Sequence, residues 1–275
     1  LNTGGRSRAI STVRMTEQQA NNLLDPALHK DSCGFGLIAN LDDLPSHWVV
    51  ATAIEALARL THRGAVAADG KTGDGCGLLI KFPESFLRSV GEELGFSLGK
   101  RFAAGTVFLS QAKSQGEAGR KIISKAIEEL GLEVAGWREV PVDPSACGAQ
   151  ALATMPRIEQ VFVNGRDTMP RGAFNRKLFL ARRRAEKRLG DNETYVASLS
   201  SVTTSYQGMV MPAALPDFYP DLRDTRMETT VCVFHQRFST NTLPQWKLAQ
   251  PFRFLAHNGE INTIRGNRNW ATARA

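Results

Sequence analysis

The chain has 275 residues, 42% of them hydrophobic and 22% charged, and carries a formal net charge of +7. That balance excludes an intrinsically disordered chain, and no apolar run approaches the ~20 residues that a membrane-spanning helix needs. The positive charge raises nucleic acid as a partner, but no recognised nucleic-acid module accompanies it. Much of it falls on one predicted helix, at Arg176, Lys177, Arg182, Arg183, Arg184, Lys187 and Arg188, which reads as a solvated face or a contact with a partner domain.

Taken in order, Phe35 to Leu41 reads as a buried strand behind Cys33. A helix begins at Pro45-Ser46, where Val49, Val50, Ala53, Ile54, Leu57 and Leu60 recur at helical spacing, and it stops near Thr61-His-Arg-Gly64. Residues Ala68 to Gly77 are too rich in glycine for regular structure and form a turn system. Leu78 to Phe82 follows as a strand, giving a hairpin-like return. Glu84 to Leu94 is a short helix, Gly105 to Leu109 a strand, and Glu117 to Leu130 an amphipathic helix closed by Gly131. Strands are predicted at Leu132 to Val140 and Ile158 to Val163, then the basic helix at Phe174 to Leu189. Further strands follow at Tyr195 to Ser200 and Ser205 to Val210. Pro212, Pro216 and Pro220 mark a surface excursion, and Thr229 to Phe234 and Phe252 to Ala256 read as the last strands. Strands in adjacent groups, without strict alternation with helices, predict an α+β layered domain rather than a doubly wound sheet. The Gly-rich stretch is not followed by a convincing helix in a βαβ unit, which argues against a dinucleotide site.

Four cysteines, Cys33, Cys76, Cys147 and Cys232, stand far apart, with no Cys-x-x-Cys pair or Cys/His cluster of metal-binding spacing. Nothing in that spacing requires a disulfide, which fits a reducing cytoplasm. The first residue is Leu, and Arg6, Arg8 and Arg14 with Ser7 and Ser11 vaguely resemble an organelle transit peptide, so that a plastid is the alternative location. The better reading of Leu1 to Ser32 is a pro-segment removed on maturation, leaving 33–275 as the working domain.

Cleavage after Ser32 would make Cys33 the N-terminal residue. Its own α-amine, with an ordinary pKa near ~8, could then take the proton from its own thiol. While Cys33 is internal its nitrogen is an amide and cannot serve as a base. Three further segments fit a thiol that hydrolyses glutamine: His62-Arg-Gly-Ala65, His235-Gln-Arg-Phe-Ser-Thr240 and His257-Asn-Gly-Glu-Ile261. Arg237 with Ser239 and Thr240 has the composition of a carboxylate clamp, because guanidinium offers a planar fork of donors. Asn258-Gly259 supplies a side-chain amide and an approachable backbone N–H, the donor pair an oxyanion needs. His62, His235 and His257 receive no proton-transfer role.

In this order the motifs resemble the class II, N-terminal-nucleophile glutamine amidotransferases, and within them the amidotransferase domain of glutamate synthase large subunits. The resemblance runs through Asp31-Ser-Cys-Gly-Phe-Gly, Thr61-His-Arg-Gly-Ala, Ala68-Asp-Gly-Lys-Thr-Gly-Asp-Gly-Cys-Gly, Pro156-Arg-Ile-Glu-Gln and Leu178-Phe-Leu-Ala-Arg-Arg. It continues through His235-Gln-Arg-Phe-Ser-Thr-Asn-Thr and His257-Asn-Gly-Glu-Ile-Asn-Thr-Ile-Arg-Gly-Asn-Arg. It implies a four-layer α/β-β/α sandwich of two antiparallel sheets, with Cys33 at the start of an inner strand. Cys33 would form a γ-glutamyl thioester and Asn258 and Gly259 would bind the oxyanion. Arg237, Phe238 and Thr240 would hold the glutamine, and Arg63 would order the loop around the freed amine.

The resemblance further implies that ammonia passes to separate synthase domains, which aminate and reduce 2-oxoglutarate to glutamate. Those domains would use FMN, an iron–sulfur cluster and either NAD(P)H or ferredoxin, with an electron-donating subunit as a further partner, and no cofactor is expected within this segment. The family's aspartate for the glutamine amino group lies downstream of His-Asn-Gly-Glu, and Ile261 to Ala275 contains no carboxylate side chain. The expectation is therefore an incomplete domain, not fully active alone. The alternatives are another class II amidotransferase, or a non-catalytic module on the same fold.

Overall fold

A computed structural model describes residues 34–190, 193–237, 243–252, 269 and 271–274. Among these residues eight strands form two antiparallel four-stranded sheets with helices packed on them, which is the α+β sandwich type expected. The strands are β1 (Gly34–Ala39), β2 (Cys76–Lys81), β3 (Phe102–Leu109), β4 (Glu133–Glu139), β5 (Arg157–Asn164), β6 (Tyr195–Val196), β7 (Thr203–Gly208) and β8 (Val231–Gln236). The helices are α1 (His47–Arg59), α2 (Glu84–Glu93), α3 (Lys113–Glu128), α4 (Ala149–Ala153), α5 (Arg171–Leu189) and α6 (Leu215–Phe218). The first sheet runs β1-β8-β2-β7 and the second β4-β5-β3-β6.

The second sheet shows most directly how sequence becomes packing. Alternate side chains of a strand point to opposite faces. Phe102, Ala104 and Phe108 of β3 and Ile158 and Phe162 of β5 therefore enter one core, shared with Leu78, Ile80 and Phe234 of the first sheet and with α1 and α2. Ala103, Val107 and Leu109, with Val161 and Val163, enter a second core closed by Ile123 and Ile127 of α3 and Phe174 and Leu178 of α5. Because both faces of β3 are covered, it is buried along its whole length. Its run Phe-Ala-Ala-Gly-Thr-Val-Phe-Leu accordingly shows no polar alternation.

Helix α1 buries Val49, Val50, Ala53 and Leu57, the stripe predicted from their spacing. It ends at Arg59, and a 3-10 turn over Thr61–Arg63 follows. In that turn the Thr61 hydroxyl donates to the Ala58 carbonyl at 2.6 Å and the Arg63 N–H to Leu60 at 2.8 Å. Helix α3 is followed, as predicted, by Gly131 at φ +67°, whose N–H reaches the Glu128 carbonyl at 2.8 Å.

Several expectations are corrected. β1 and β2 do not form a hairpin, because β8 lies between them, pairing Gly34 with Gln236 on one side and Cys76 with Gln236 on the other. Among the described residues β8 is the strand that pairs with β1. The proline segment is not a surface excursion, since Leu215, Phe218, Tyr219 and Leu222 are all buried. Its apolar residues outweigh its prolines, which merely set short 3-10 turns. The strand at Tyr195 to Ser200 shortens to two residues, and α4 is an addition. Phe252 lies outside any strand, and the rest of that predicted strand lies outside the described residues. Among the described residues no helix is long and apolar enough to cross a membrane.

The basic helix α5 neutralises part of its charge internally. Arg182 and Arg183 pair with Glu186 at 2.7 and 2.6 Å, and Arg188 pairs with Glu129 at 2.7 Å. Lys177 donates to the Leu130 carbonyl at 2.6 Å, tying α5 to the end of α3.

Candidate active site

Of the residues given a role in binding or catalysis from the sequence, Arg63 and Arg237 fall within the described structure. Cys33, Phe238, Thr240, Asn258 and Gly259 lie outside the described residues, as do Ser239 and His257. The two arginines are 174 positions apart in the chain. They meet because β8 ends where β1 begins: Gln236, the last residue of β8, pairs with Gly34, the residue that follows Cys33. A Cβ placed on Gly34 would stand 2.8 Å from the Gln236 carbonyl oxygen and 3.3 Å from Arg63 Cβ. Small size at position 34 thus lets the turn after α1 close onto the start of β1. Arg237 Nη1 donates to the Arg63 carbonyl at 3.5 Å, the outer limit of a hydrogen bond.

Arg237 has φ +80°, in the left-handed region that a non-glycine residue occupies at a cost of about 1–3 kcal/mol. Its N–H donates to the Gly75 carbonyl at 2.8 Å, which holds the main chain in place. Gly75 itself sits at φ +116°, a conformation that requires glycine. The Gly-rich segment therefore meets the end of β8 at its last residues, just before β2.

Beneath the arginines lies a set of polar atoms without hydrogen-bond partners: both carboxylate oxygens of Asp74, both amide atoms of Gln236, and Arg237 Nε. Asp74 is 6% exposed and Gln236 1%. Arg237 Nε is 3.6 Å from Asp74 Oδ2, close enough for ion pairing and too long for a hydrogen bond. Burial raises the Asp74 carboxyl above its ordinary value, against the nearby Ala65 backbone and the Arg237 charge, which pull it down. A side chain at position 64 would collide with the Gln236 amide and come within 3.0 Å of Asp74 Oδ1. That contact explains the glycine in Thr61-His-Arg-Gly-Ala. Asp74 and Gln236 were missed in the sequence, although both stand inside quoted motifs. An acid between two glycines reads as an ordinary turn residue until its burial is known.

His62 is exposed and its Nδ1 lies 3.1 Å from the Arg59 carbonyl, a local helix-end contact that supports no catalytic role. Three cysteines are free and buried. Burial pushes the Cys147 thiol up to about 11 and the Cys232 thiol up to about 12. Cys76 is driven higher still by the same cause, and its Sγ donates to the Val210 carbonyl at 3.3 Å. None of the three is a nucleophile at neutral pH. Among the described residues no group of three or more His, Cys, Asp or Glu side chains is placed to hold a metal ion.

The geometry brings Arg63 and Arg237 together beside Gly34, at the start of β1. Residues 33–275 match the family model described as class-II glutamine amidotransferases. The chain is 44% identical over 278 residues to the glutamate synthase [NADPH] large chain of Azospirillum brasilense, covering 99% of this chain and 18% of that protein. It is 39% identical to ferredoxin-dependent glutamate synthase 1 of Arabidopsis thaliana, covering 98% of this chain and 17% of that one. It is 40% identical to the glutamate synthase [NADPH] large chain of Bacillus subtilis, covering 93% of this chain and 17% of the relative. The chain therefore spans less than a fifth of the length of these relatives.

Proposed function

The chain belongs to the class II glutamine amidotransferases, and we propose that it releases ammonia from L-glutamine for glutamate synthesis, with Cys33 as nucleophile. The observation that carries this reading is that Arg63 packs against Gly34, one residue after Cys33, and that Arg237 reaches the Arg63 carbonyl. The family match also begins at residue 33, which supports removal of Leu1 to Ser32 and a free amine on Cys33.

The freed α-amine takes the Cys33 thiol proton, and the thiolate adds to the side-chain amide carbon of glutamine. The negative charge on the amide oxygen is received by the Asn258 side chain and the Gly259 N–H. Loss of one such donor costs about a hundredfold in rate. The α-ammonium returns its proton to the departing nitrogen, ammonia leaves and a γ-glutamyl thioester remains. Water, deprotonated by the same amine, adds to the thioester and releases glutamate and the thiol. Arg237, Phe238 and Thr240 hold the substrate, with the Arg237 guanidinium on the α-carboxylate, and Arg63 orders the loop that frames the amine.

Within a longer protein like its relatives, this segment supplies ammonia to synthase domains that convert 2-oxoglutarate to glutamate. FMN, the iron–sulfur cluster and the electron donor belong to those domains or to a separate subunit. The relatives are named for both NADPH and ferredoxin, and either donor is compatible with this segment. The location follows the parent protein, in the cytoplasm or in a plastid.

The experiment is glutamine hydrolysis by the full-length protein and its Cys33→Ala variant, with N-terminal analysis of the mature chain. The expected result is a chain starting at Cys33, with hydrolysis lost and glutamine binding retained in the variant. A variant as active as the parent would overturn the reading and leave a binding module on this fold.

A further inference from the structure

The Gly-rich turn holds Arg237 at two points. Gly75 accepts its main-chain N–H at 2.8 Å, and the adjacent Asp74 places a carboxylate 3.6 Å from its Nε. Both Asp74 oxygens are buried and lack hydrogen-bond partners. Burying a carboxylate is costly unless a cation offsets it. The cation acting on it is Arg237. Turn and side chain together fix a residue whose backbone is already in the left-handed region.

We propose that Asp74 is a positioning residue for substrate recognition: its carboxylate anchors the Nε side of Arg237, so that the terminal fork of the guanidinium is presented to the α-carboxylate of the amino-acid substrate. Asp74 itself touches no substrate atom. Gly64 completes the device, because its bare Cα leaves room for Asp74 and the Gln236 amide beneath the turn that carries Arg63. The inference rests on the assignment of Arg237 as the carboxylate clamp and names the residue that aims it.

The test compares two electrophiles on Cys33 in the mature full-length protein. One, 6-diazo-5-oxo-L-norleucine, carries an α-carboxylate; the other, iodoacetamide, does not. Asp74→Asn is expected to slow labelling by the first about tenfold while leaving the second unchanged, as loss of one charge-assisted orientation predicts. It should likewise raise KM for glutamine about tenfold with kcat nearly preserved, and Asp74→Glu should recover part of the loss. Asp74→Ser serves the same comparison should the Asn protein fail to fold. A merely structural role would slow both reagents together, and that result, or an unchanged ratio, overturns the inference while the glutamine reading stands. Failure of either reagent to label Cys33 in the wild type overturns the glutamine reading itself, and this inference with it.

Discussion

Arg138 and Asp221 form a two-pronged ion pair in the interior, with Nη2 to Oδ1 at 2.6 Å and Nη1 to Oδ2 at 2.9 Å. Arg138 stands on β4, and its Nη1 also donates to Gln160 of β5 at 2.9 Å. Tyr206 of β7 donates its hydroxyl to Asp221 at 2.9 Å. One buried group of charges thus links the two sheets and the proline segment. Burial, and then the neighbouring Asp221 charge, keep the Tyr206 phenol protonated, so it remains a donor.

Removing one member of such a pair leaves the other charged, buried and alone. Asp221→Ala is expected to destabilise the fold by roughly 3–5 kcal/mol. Replacing Arg138 and Asp221 together by Met and Leu should cost much less, because no unpaired charge remains. Urea denaturation of the two variants distinguishes these outcomes; equal losses would show that the pair's shape, not its charge, matters.

Asp69 is expected to make the Gly-rich turn sensitive to acid. Its oxygens accept from the Gln150 N–H at 3.0 Å, the Thr72 hydroxyl at 2.6 Å and the Thr72 N–H at 2.8 Å. These bonds, Gln150 first, hold its carboxyl well below the usual range. A carboxyl lowered in the folded state stabilises above its unfolded value, near ~4, and loses that contribution as pH falls through the folded value. Wild type should therefore exceed Asp69→Ala in Tm by a constant margin from neutral pH down to about 5, with the margin shrinking below about 4. A margin unchanged down to pH 2 would show that the hydrogen bonds do not depend on ionisation.

Asp74 should show the opposite sign. Its carboxyl is raised by burial, so its contribution is most favourable below the unfolded value and is lost as pH rises through the folded one. Asp74→Asn is expected to raise Tm by a few degrees at neutral pH, with the gain vanishing near pH 4. A gain that persists in acid would mean that burial of the charge is not the cause.

The thiols offer a direct readout of burial. Cys76, Cys147 and Cys232 should resist alkylation at neutral pH in the folded protein and react fully after denaturation. Peptide mass analysis after brief iodoacetamide treatment measures this, and early modification of any of the three would contradict the packing around it.

Most elements were legible in the sequence because their signals are local. The stripe Val49, Val50, Ala53, Leu57 marks α1, and the apolar runs mark β3 and β5, whatever surrounds them. The motif residues Arg63 and Arg237 were legible for the same reason: guanidinium chemistry belongs to the residue. Tertiary structure alone decided that β8 inserts between β1 and β2, since strand partners are chosen by packing across the whole chain. It also decided that Arg138, Asp221, Glu159 and Asp74 are interior residues, when charge in a sequence reads as surface. Glu159, 1% exposed, is tolerated because Arg120 and Arg157 stand 2.6 and 2.8 Å away. The sequence by itself determined the family to which residues 33–275 belong, because its motifs are local runs of residue types. Only the fold set Asp74 beside Arg237, because that neighbourhood depends on a glycine turn meeting a residue 163 positions later in the chain, at the end of a strand.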